Sequence, residues 1–244
     1  MGELVAVLSG KGGTGKTSVC AALATSLVRL GETVLCIDCD VGLRNLDIAL
    51  GLSDEAALSF AEVADGTYPL EAATPHPFFP GLQFLTAPMG VAAGDVDFVS
   101  FEKLLSQARQ QFSYVFLDAP AGIEAGFALA AQFADRVILV TNADPASIRD
   151  AAQAGNVLEK MGKTNVRLVV NRIDRRTAAA MRLTVDDIMD RTGLPLLGIV
   201  PEDVNVVLAA AAGQPLIRCT RGGAAAACRR IARRITGQSV PVHL

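Results

Sequence analysis

The sequence predicts a three-layer α/β fold, in which helices cover both faces of a doubly wound, mostly parallel sheet. Short apolar runs that are typical of buried strands alternate along the 244 residues with longer stretches of helical periodicity. Elements that alternate in this way form parallel strands joined by right-handed crossovers. No internal repeat or linker interrupts the alternation, so residues 1–244 are predicted to form a single domain.

The individual elements follow from apolar spacing and from residues that start or stop helices. Gly31 and Asp65–Gly66 favour helix ends, Pro145 suits a first helical turn, and Thr184 is a typical N-cap. Four prolines favour a loop over residues 68–80. The predicted strands are 4–8, 33–38, 82–87, 114–117, 136–141, 166–171 and 196–200. The predicted helices are 18–30, 43–50, 59–64, 97–111, 145–161, 184–191, 203–212 and 223–235, with one more starting at Glu124.

Composition narrows the class of protein. A hydrophobic content of 51% with 19% charged residues excludes a disordered chain. No apolar stretch is long enough to cross a membrane and no signal peptide is visible, so a cytoplasmic protein with free thiols is expected. Cys36 and Cys39 lie three apart on a predicted strand, where side chains at that spacing point to opposite faces. This favours two core residues over a metal or redox pair.

Charge is unevenly distributed along the chain. The formal net charge is −3, but residues 218–244 contain six arginines and no acid, so residues 1–217 carry about −9. An acidic body is unfavourable for non-specific binding to nucleic acid, which is therefore not expected as a partner. The six arginines are Arg218, Arg221, Arg229, Arg230, Arg233 and Arg234.

The first predicted strand leads into a glycine-rich loop that precedes a helix. The loop fits G-x-x-x-x-G-K-[ST], which a chain of this length matches by chance roughly once in several hundred cases. Glycines let successive N–H groups face one centre, and the helix N-terminus adds its dipole. A nucleoside triphosphate site is therefore favoured over an ordinary glycine-rich turn, with Lys16 reaching the phosphates and Thr17 binding Mg²⁺. The candidate binding residues are Gly10, Lys11, Gly12, Gly13, Thr14, Gly15, Lys16, Thr17 and Ser18.

Polar residues follow several other strands at the same edge of the predicted sheet, where ligands of such folds bind. Asp38 and Asp40 close the second strand, and Asp118 follows four apolar residues of a later one. We expect these three carboxylates to converge near Mg²⁺ and the attacking water, with Asp118 holding the metal through a bound water. A helix N-cap is the alternative role for any one of them. Two further strands end in Asn171-Arg172 and Pro201-Glu202-Asp203.

Three segments resemble the ParA/MinD family of ATPases. The lysine ahead of the glycines, in Lys11-Gly12-Gly13-x-Gly15-Lys16-Thr17, resembles the family's deviant Walker A motif. Residues 40–47, Asp-Val-Gly-Leu-Arg-Asn-Leu-Asp, and 118–124, Asp-Ala-Pro-Ala-Gly-Ile-Glu, are similar to the two switch segments of its MinD branch. The resemblance runs from residue 4 to about residue 215. ParA proteins carry a different pattern after the first switch aspartate, and flagellar-number relatives lack the arginine before the asparagine.

The resemblance implies an ATPase that binds ATP and Mg²⁺ and dimerises face to face around two nucleotides. Lys11 would then reach the phosphates bound by the second subunit; the alternative is a solvated loop lysine. Asp40 would position the attacking water and Asp38 the water shell of the metal. Asp118 and Gly122 would sense the γ-phosphate. The implied base-binding residues are Asn171 and Arg172 on one side and Pro201 and Glu202 on the other.

The resemblance also implies protein partners and a membrane element. Ile148-Arg149-Asp150 resembles the segment that docks MinC- or MinE-like regulators, but Ala151 and the two residues after it are less charged than in the family. MinD proteins usually end in an amphipathic helix that enters the membrane, and residues 236–244, which include Pro241, are too short for one. The helix 223–235 is expected to pack its isoleucines on the sheet; the alternative is a basic helix lying on anionic lipid.

Three functions are compatible with these residues. The first is a MinD-like switch with slow ATP hydrolysis that places the division site. The second is a ParA-like partitioning or flagellar-positioning ATPase, which the acidic body and the first switch segment disfavour. The third is a nucleotide-binding scaffold that does not cycle, which the presence of Lys11, Lys16, Thr17, Asp40 and Asp118 disfavours. His76 and His243 are assigned no role.

Overall fold

The computed structural model describes residues 1–89 and 96–242, except for the side chain of Arg175. The strands are β1 (Glu3–Leu8), β2 (Val34–Asp38), β3 (Thr74–Pro75), β4 (Leu82–Leu85), β5 (Tyr114–Asp118), β6 (Arg136–Asn142), β7 (Val166–Ile173) and β8 (Leu196–Pro201). They form one sheet in the order β3-β4-β2-β5-β1-β6-β7-β8. Within the described part of the chain, the edge strand β3 pairs antiparallel with β4 and the other pairs are parallel.

Helices cover both faces of this sheet. They are α1 (Lys16–Val28), α2 (Leu46–Leu50), α3 (Phe60–Ala64), α4 (Phe98–Gln111), α5 (Ala125–Phe133), α6 (Pro145–Lys160), α7 (Arg175–Ala180), α8 (Val185–Thr192), α9 (Asn205–Ala211), α10 (Leu216–Cys219) and α11 (Gly223–Ile235). One core packs α1, α2, α10 and α11 against the sheet, and the other packs α3, α4, α5, α6 and α8 against its opposite face. The predicted three-layer, mostly parallel α/β fold is confirmed.

The order of the strands places the glycine-rich loop at the centre of one edge. β1 lies between β5 and β6 and is buried from Leu4 onward, as expected for a strand covered on both faces. In the pairing of β1 with β5, Val7 lies beside Asp118. In the pairing of β2 with β5, Asp38 lies on the other side of Asp118. The carboxyl ends of three adjacent strands therefore meet beside residues 9–16.

The structure differs from the prediction at several elements. α1 begins at Lys16, two residues earlier than predicted, and α2 begins at Leu46 rather than Leu43. The reason for the second difference is that Asp38 accepts hydrogen bonds from the N–H groups of Asn45 and Leu46, which fixes the preceding residues as a loop. The proline-rich segment contains a 3-10 helix (Leu70–Ala72) and β3. The short helices α7 and α10 were not predicted, because each is too short to show a helical period.

Cys36 lies in β2 and Cys39 directly follows that strand. Cys36 belongs to the core on the α1 side of the sheet and Cys39 to the core on the other side, as predicted. All five cysteines are free thiols. No helix among the described residues combines the length and apolar character needed to cross a membrane.

The last helix packs on the sheet through its isoleucines. Ile231 and Ile235 are buried, and Ile231 lies so close to Gly198 of β8 that a Cβ atom there would clash with it. Arg234 donates to the carbonyl oxygen of Leu197 at 2.9 Å, so not every arginine of α11 faces solvent. His76 is buried, with Nε2 2.8 Å from the carbonyl oxygen of Leu50. His243 lies outside the described residues.

Candidate nucleotide-binding site

The loop between β1 and α1 has the backbone that a phosphate cradle needs. Gly13 and Gly15 have φ angles of 79° and 81°, in the left-handed region that glycine adopts without strain. Ser9 donates to the carbonyl oxygen of Lys11 at 3.0 Å, and the N–H of Gly122 donates to the carbonyl oxygen of Ser9 at 3.1 Å. The predicted second switch segment therefore contacts the start of the loop.

A buried ion pair joins the loop to β5. The ammonium of Lys16 lies 2.7 Å from Asp118 Oδ1, and both side chains are almost fully buried. Lys16 also donates to the Thr17 hydroxyl at 3.3 Å. Burial raises the pKa of the Asp118 carboxyl above its ordinary value, against the opposing effects of the Lys16 charge and of hydrogen bonds from Lys16 and Thr17. The structure thus brings together the predicted phosphate-binding lysine, the predicted metal-binding hydroxyl and the predicted metal-binding acid.

Asp38 organises the first switch segment. Its Oδ1 accepts from the N–H of Asp40 at 2.9 Å, and its Oδ2 accepts from the N–H groups of Asn45 and Leu46, each at 3.2 Å. Burial, and then the charge of Asp118, raises the pKa of Asp38 to about 6. The carboxylate therefore holds together the loop that carries Asp40. Sequence reasoning did not anticipate these three hydrogen bonds, because residues 40–46 have no period that reveals them.

The three carboxylates do not form a ready-made metal cluster. No group of three or more His, Cys, Asp or Glu residues among the described ones is arranged to hold a metal ion. Asp38 and Asp118 are neighbours in register, but Asp40 lies two residues beyond the strand, and its position leaves it partly exposed. The charge of Asp40 nevertheless helps to raise the pKa of Asp118, so the three acids lie near one another, as expected, without the arrangement of a metal cluster.

The predicted base-binding residues line one cavity beside the loop. Asn171 and Arg172 lie at the end of β7, and Pro201 and Glu202 at the end of β8, with Gly15 and Ser18 completing the wall. Arg172 Nε lies 4.0 Å from Glu202 Oε2. The structure therefore brings all four together, as predicted, although it adds direct bonds from Asn171 and Arg172 to the loop.

Lys11 lies on the open side of the loop. Its ammonium is 4.0 Å from Asp144 Oδ1, and 45% of its side chain is exposed. Asp144 caps α6 by accepting from the N–H of Ser147 at 3.0 Å. Sequence reasoning missed Asp144 as a neighbour of Lys11, because an acid before a helical proline indicates only a cap.

The chain matches the CobQ/CobB/MinD/ParA nucleotide binding domain over residues 5–216. It is 35% identical to the septum site-determining protein MinD of Synechocystis, in an alignment covering 99% of this chain and 92% of that one. The chain belongs to the MinD/ParA family of ATPases. The alignment with a curated MinD at this identity supports the MinD branch over its ParA relatives.

Solved structures of this family share the whole fold. The MinC:MinD cell division protein complex of Aquifex aeolicus superposes with a TM-score of 0.91 at 35% identity, covering 99% of this chain and 98% of that one. MinD of Pyrococcus horikoshii complexed with Mg-ADP superposes with a TM-score of 0.84 at 27% identity, covering 96% of each chain. The family's P-loop fold is therefore present from end to end of the described residues.

The buried ion pair predicts a pH-dependent loss of stability in Lys16→Met. At pH 8 the variant should lose about 3–5 kcal/mol of unfolding free energy without ligand, because Asp118 keeps a buried charge without its partner. Without Lys16 the pKa of Asp118 lies still further above its ordinary value of 3.8. Between pH 3.8 and the raised pKa of Asp118, the folded variant holds a proton on Asp118 that the unfolded chain has released. The variant's free energy of unfolding therefore falls as the pH rises through this range. Urea unfolding from pH 5 to pH 8 measures this.

The matched control for this prediction is Lys11→Met, which removes the other, half-exposed lysine of the loop. Its effect should stay within about 0.5 kcal/mol at every pH, as for an exposed ion pair. If Lys16→Met lost the same free energy of unfolding, relative to the wild type, at pH 5 and at pH 8, Asp118 would not be the group that titrates.

Proposed function

We propose that this chain is a MinD-type switch that binds Mg²⁺ and ATP, forms a nucleotide-sandwich dimer and hydrolyses ATP slowly to control division-site placement. The observation that carries the proposal is the buried contact of Lys16 with Asp118 beside Thr17, at the N-terminus of α1. A lysine, a hydroxyl and an acid at this point are the parts that P-loop ATPases use. The relative from Pyrococcus horikoshii, which is complexed with Mg-ADP, supports the same ligand here.

The residues at the loop fit these ligands. The Thr14 hydroxyl is buried and has no hydrogen-bond partner among the described residues, which leaves a polar group inside the loop for a ligand. The Thr17 hydroxyl and the carboxylate of Asp118 would hold Mg²⁺, which prefers oxygen ligands, and Asp38 would hold a water bound to it. Bound Mg²⁺ would neutralise phosphate charge. Lys16 would bind the phosphates, and Asp40 would orient the attacking water.

An apolar rim beside the nucleotide edge supports the dimer. The exposed side chains of Val204, Val207 and Leu208 lie at the start of α9, and Val207 lines the same cavity as Arg172. Leu43 and Ile48 are exposed in the first switch segment and α2. A concentration of large exposed apolar side chains marks an interaction surface. A second copy facing this edge would cover the rim and bring its Lys11 to the phosphates.

Leu208→Glu should prevent the dimer without removing nucleotide binding. With Mg²⁺ and ATP, light scattering should give the wild type about twice the 25.4 kDa of one chain, and the variant a single chain. Turnover should fall at least about tenfold, because Lys11 would no longer reach the second nucleotide. The control is Leu30→Glu, which changes an exposed leucine two residues beyond the C-terminal end of α1. A dimer that forms equally with ADP, or a Leu208→Glu dimer, would contradict the proposed sandwich.

The exposed face of α6 is the proposed docking site for a MinC- or MinE-like regulator. Arg149 is 75% exposed, whereas Ile148, Ala151 and Leu158 of the same helix are buried. A Cβ atom on Gly10 would lie 2.2 Å from the carbonyl oxygen of Asp150, so α6 packs directly on the start of the phosphate loop. A regulator bound to this face would thus contact the helix that touches the loop.

Arg149→Glu should weaken binding of a MinC-like regulator by at least about tenfold, because it reverses a charge at the centre of the proposed face. Lys160→Glu is the control, since it reverses an exposed charge at the other end of the same helix. The measurement is the affinity of each variant and of the wild type for the regulator, with ATP present. Equal affinity for both variants would place the docking site elsewhere.

A switch that places the division site needs a surface on which it is itself positioned. One candidate for this positioning surface is the cytoplasmic face of an anionic membrane, which the arginines near α10 and α11 favour. Arg29, Arg218, Arg221 and Arg233 are exposed. Burial and then the charges of Arg29 and other neighbouring arginines lower the pKa of Arg229, which shows that these groups are close together. Guanidinium groups suit phosphate headgroups.

Cosedimentation with phosphatidylglycerol vesicles tests the membrane candidate. If it is correct, the wild type should pellet with ATP, and Arg218→Ser/Arg221→Ser should pellet several-fold less, since each charge near such a surface contributes about 1 kcal/mol. Arg167→Ser/Arg176→Ser removes two exposed arginines elsewhere and is the charge-matched control. Wild-type protein that stays in the supernatant with both ATP and ADP would make another protein the positioning surface.

A further inference from the structure

β7 carries a bulge at the two residues that were predicted to bind the base. Val170 pairs with Ile199 and Ile173 pairs with Pro201, so β7 advances three residues while β8 advances two. Arg172 has a φ angle of 53°, in the left-handed region that a residue other than glycine rarely occupies. The irregular backbone turns consecutive side chains toward the phosphate loop, which a regular strand with its alternating side chains does not do.

Both side chains donate hydrogen bonds to the loop backbone. Asn171 Nδ2 donates to the carbonyl oxygen of Thr14 at 2.7 Å, and Arg172 Nη1 donates to the carbonyl oxygen of Gly13 at 3.0 Å. Asn171 is buried and sits so close to Gly15 that a Cβ atom there would lie 2.4 Å from Nδ2. The glycine at position 15 is thus required by this contact as well as by its positive φ angle.

The two accepting carbonyls fix the direction of two amide groups. In a trans peptide the C=O and the N–H point in opposite directions, and the described chain has no cis peptide. Because the carbonyls of Gly13 and Thr14 point toward β7, the N–H groups of Thr14 and Gly15 point away from β7. N–H groups that face one centre are what a phosphate-binding loop requires.

We propose that Asn171 and Arg172 are positioning residues for the phosphate loop, in addition to any contact with the base. They hold the carbonyl oxygens of Gly13 and Thr14, so that the N–H groups of Thr14 and Gly15 face the phosphates. Because the same side chains line the cavity assigned to the base, this links the base site to the phosphate site. The inference rests on the proposed function, since it concerns the same nucleotide.

A ligand without a base separates the two roles. Calorimetric titration of the full chain with tripolyphosphate and Mg²⁺ measures phosphate binding alone, and parallel titration with ATP and Mg²⁺ measures both. Arg172→Gln should weaken tripolyphosphate binding by about tenfold, the effect of losing one charge-assisted hydrogen bond. Arg172→Lys keeps a charged donor and should lie between Arg172→Gln and the wild type. Arg172 is partly exposed, so these variants should fold, which thermal unfolding checks.

The control is Arg176→Gln, which removes an exposed arginine that lies nearby on α7, and it should bind tripolyphosphate within about twofold of the wild type. Arg172→Gln that loses affinity for ATP but binds tripolyphosphate like the wild type would overturn the proposal, since Arg172 would then contact the base alone. Wild-type protein that binds ATP but no tripolyphosphate would also overturn it and leave the proposed function in place. Binding of neither ligand would contradict both.

Discussion

The buried ion pair between Lys16 and Asp118 is the interaction on which the site depends. It joins the first residue of α1 to the last residue of β5, across the end of β1, and it places two charges where water does not screen them. A buried pair of this kind contributes little net stability, but removing one partner is costly. Its main effect is therefore to position groups at the loop and not to stabilise the fold. The pair holds a lysine that can bind a negatively charged ligand beside an acid that can bind its metal.

Three other elements contact the same loop. The amide of Gly122 ties the second switch to Ser9, Asn171 and Arg172 hold the loop carbonyls from β7, and α6 packs on Gly10. The carboxylate of Asp38 holds the first switch segment, and Asp38 lies beside Asp118 in register. A change in what the loop binds can therefore reach the second switch, the base cavity and the proposed docking helix through direct contacts, and the first switch through the Lys16–Asp118 pair and its neighbour Asp38. This is the property that a nucleotide-dependent switch requires.

The sequence predicted the fold, and it predicted which residues lie together around the loop, because both depend on local patterns. Buried parallel strands show as apolar runs, and a loop of fixed spacing identifies Lys16 and Thr17. It could not predict the start of α2, which a carboxylate eight residues earlier determines, or the Lys11–Asp144 contact, which depends on the packing of α6. The bulge at Asn171 and Arg172 was also invisible, since it appears only when β7 is paired with β8. None of these contacts follows a sequence period that would reveal it.

The measurement that tests the account most directly is a crystal structure of the full chain with Mg²⁺ and ADP. The account predicts that the nucleotide occupies the loop and that the Lys16 ammonium has left Asp118 for a phosphate oxygen. It also predicts that Asn171 and Arg172 still donate to the carbonyl oxygens of Thr14 and Gly13. A nucleotide bound elsewhere, or a Lys16–Asp118 pair that persists while other groups hold the phosphates, would contradict the assignment of this edge as the working site.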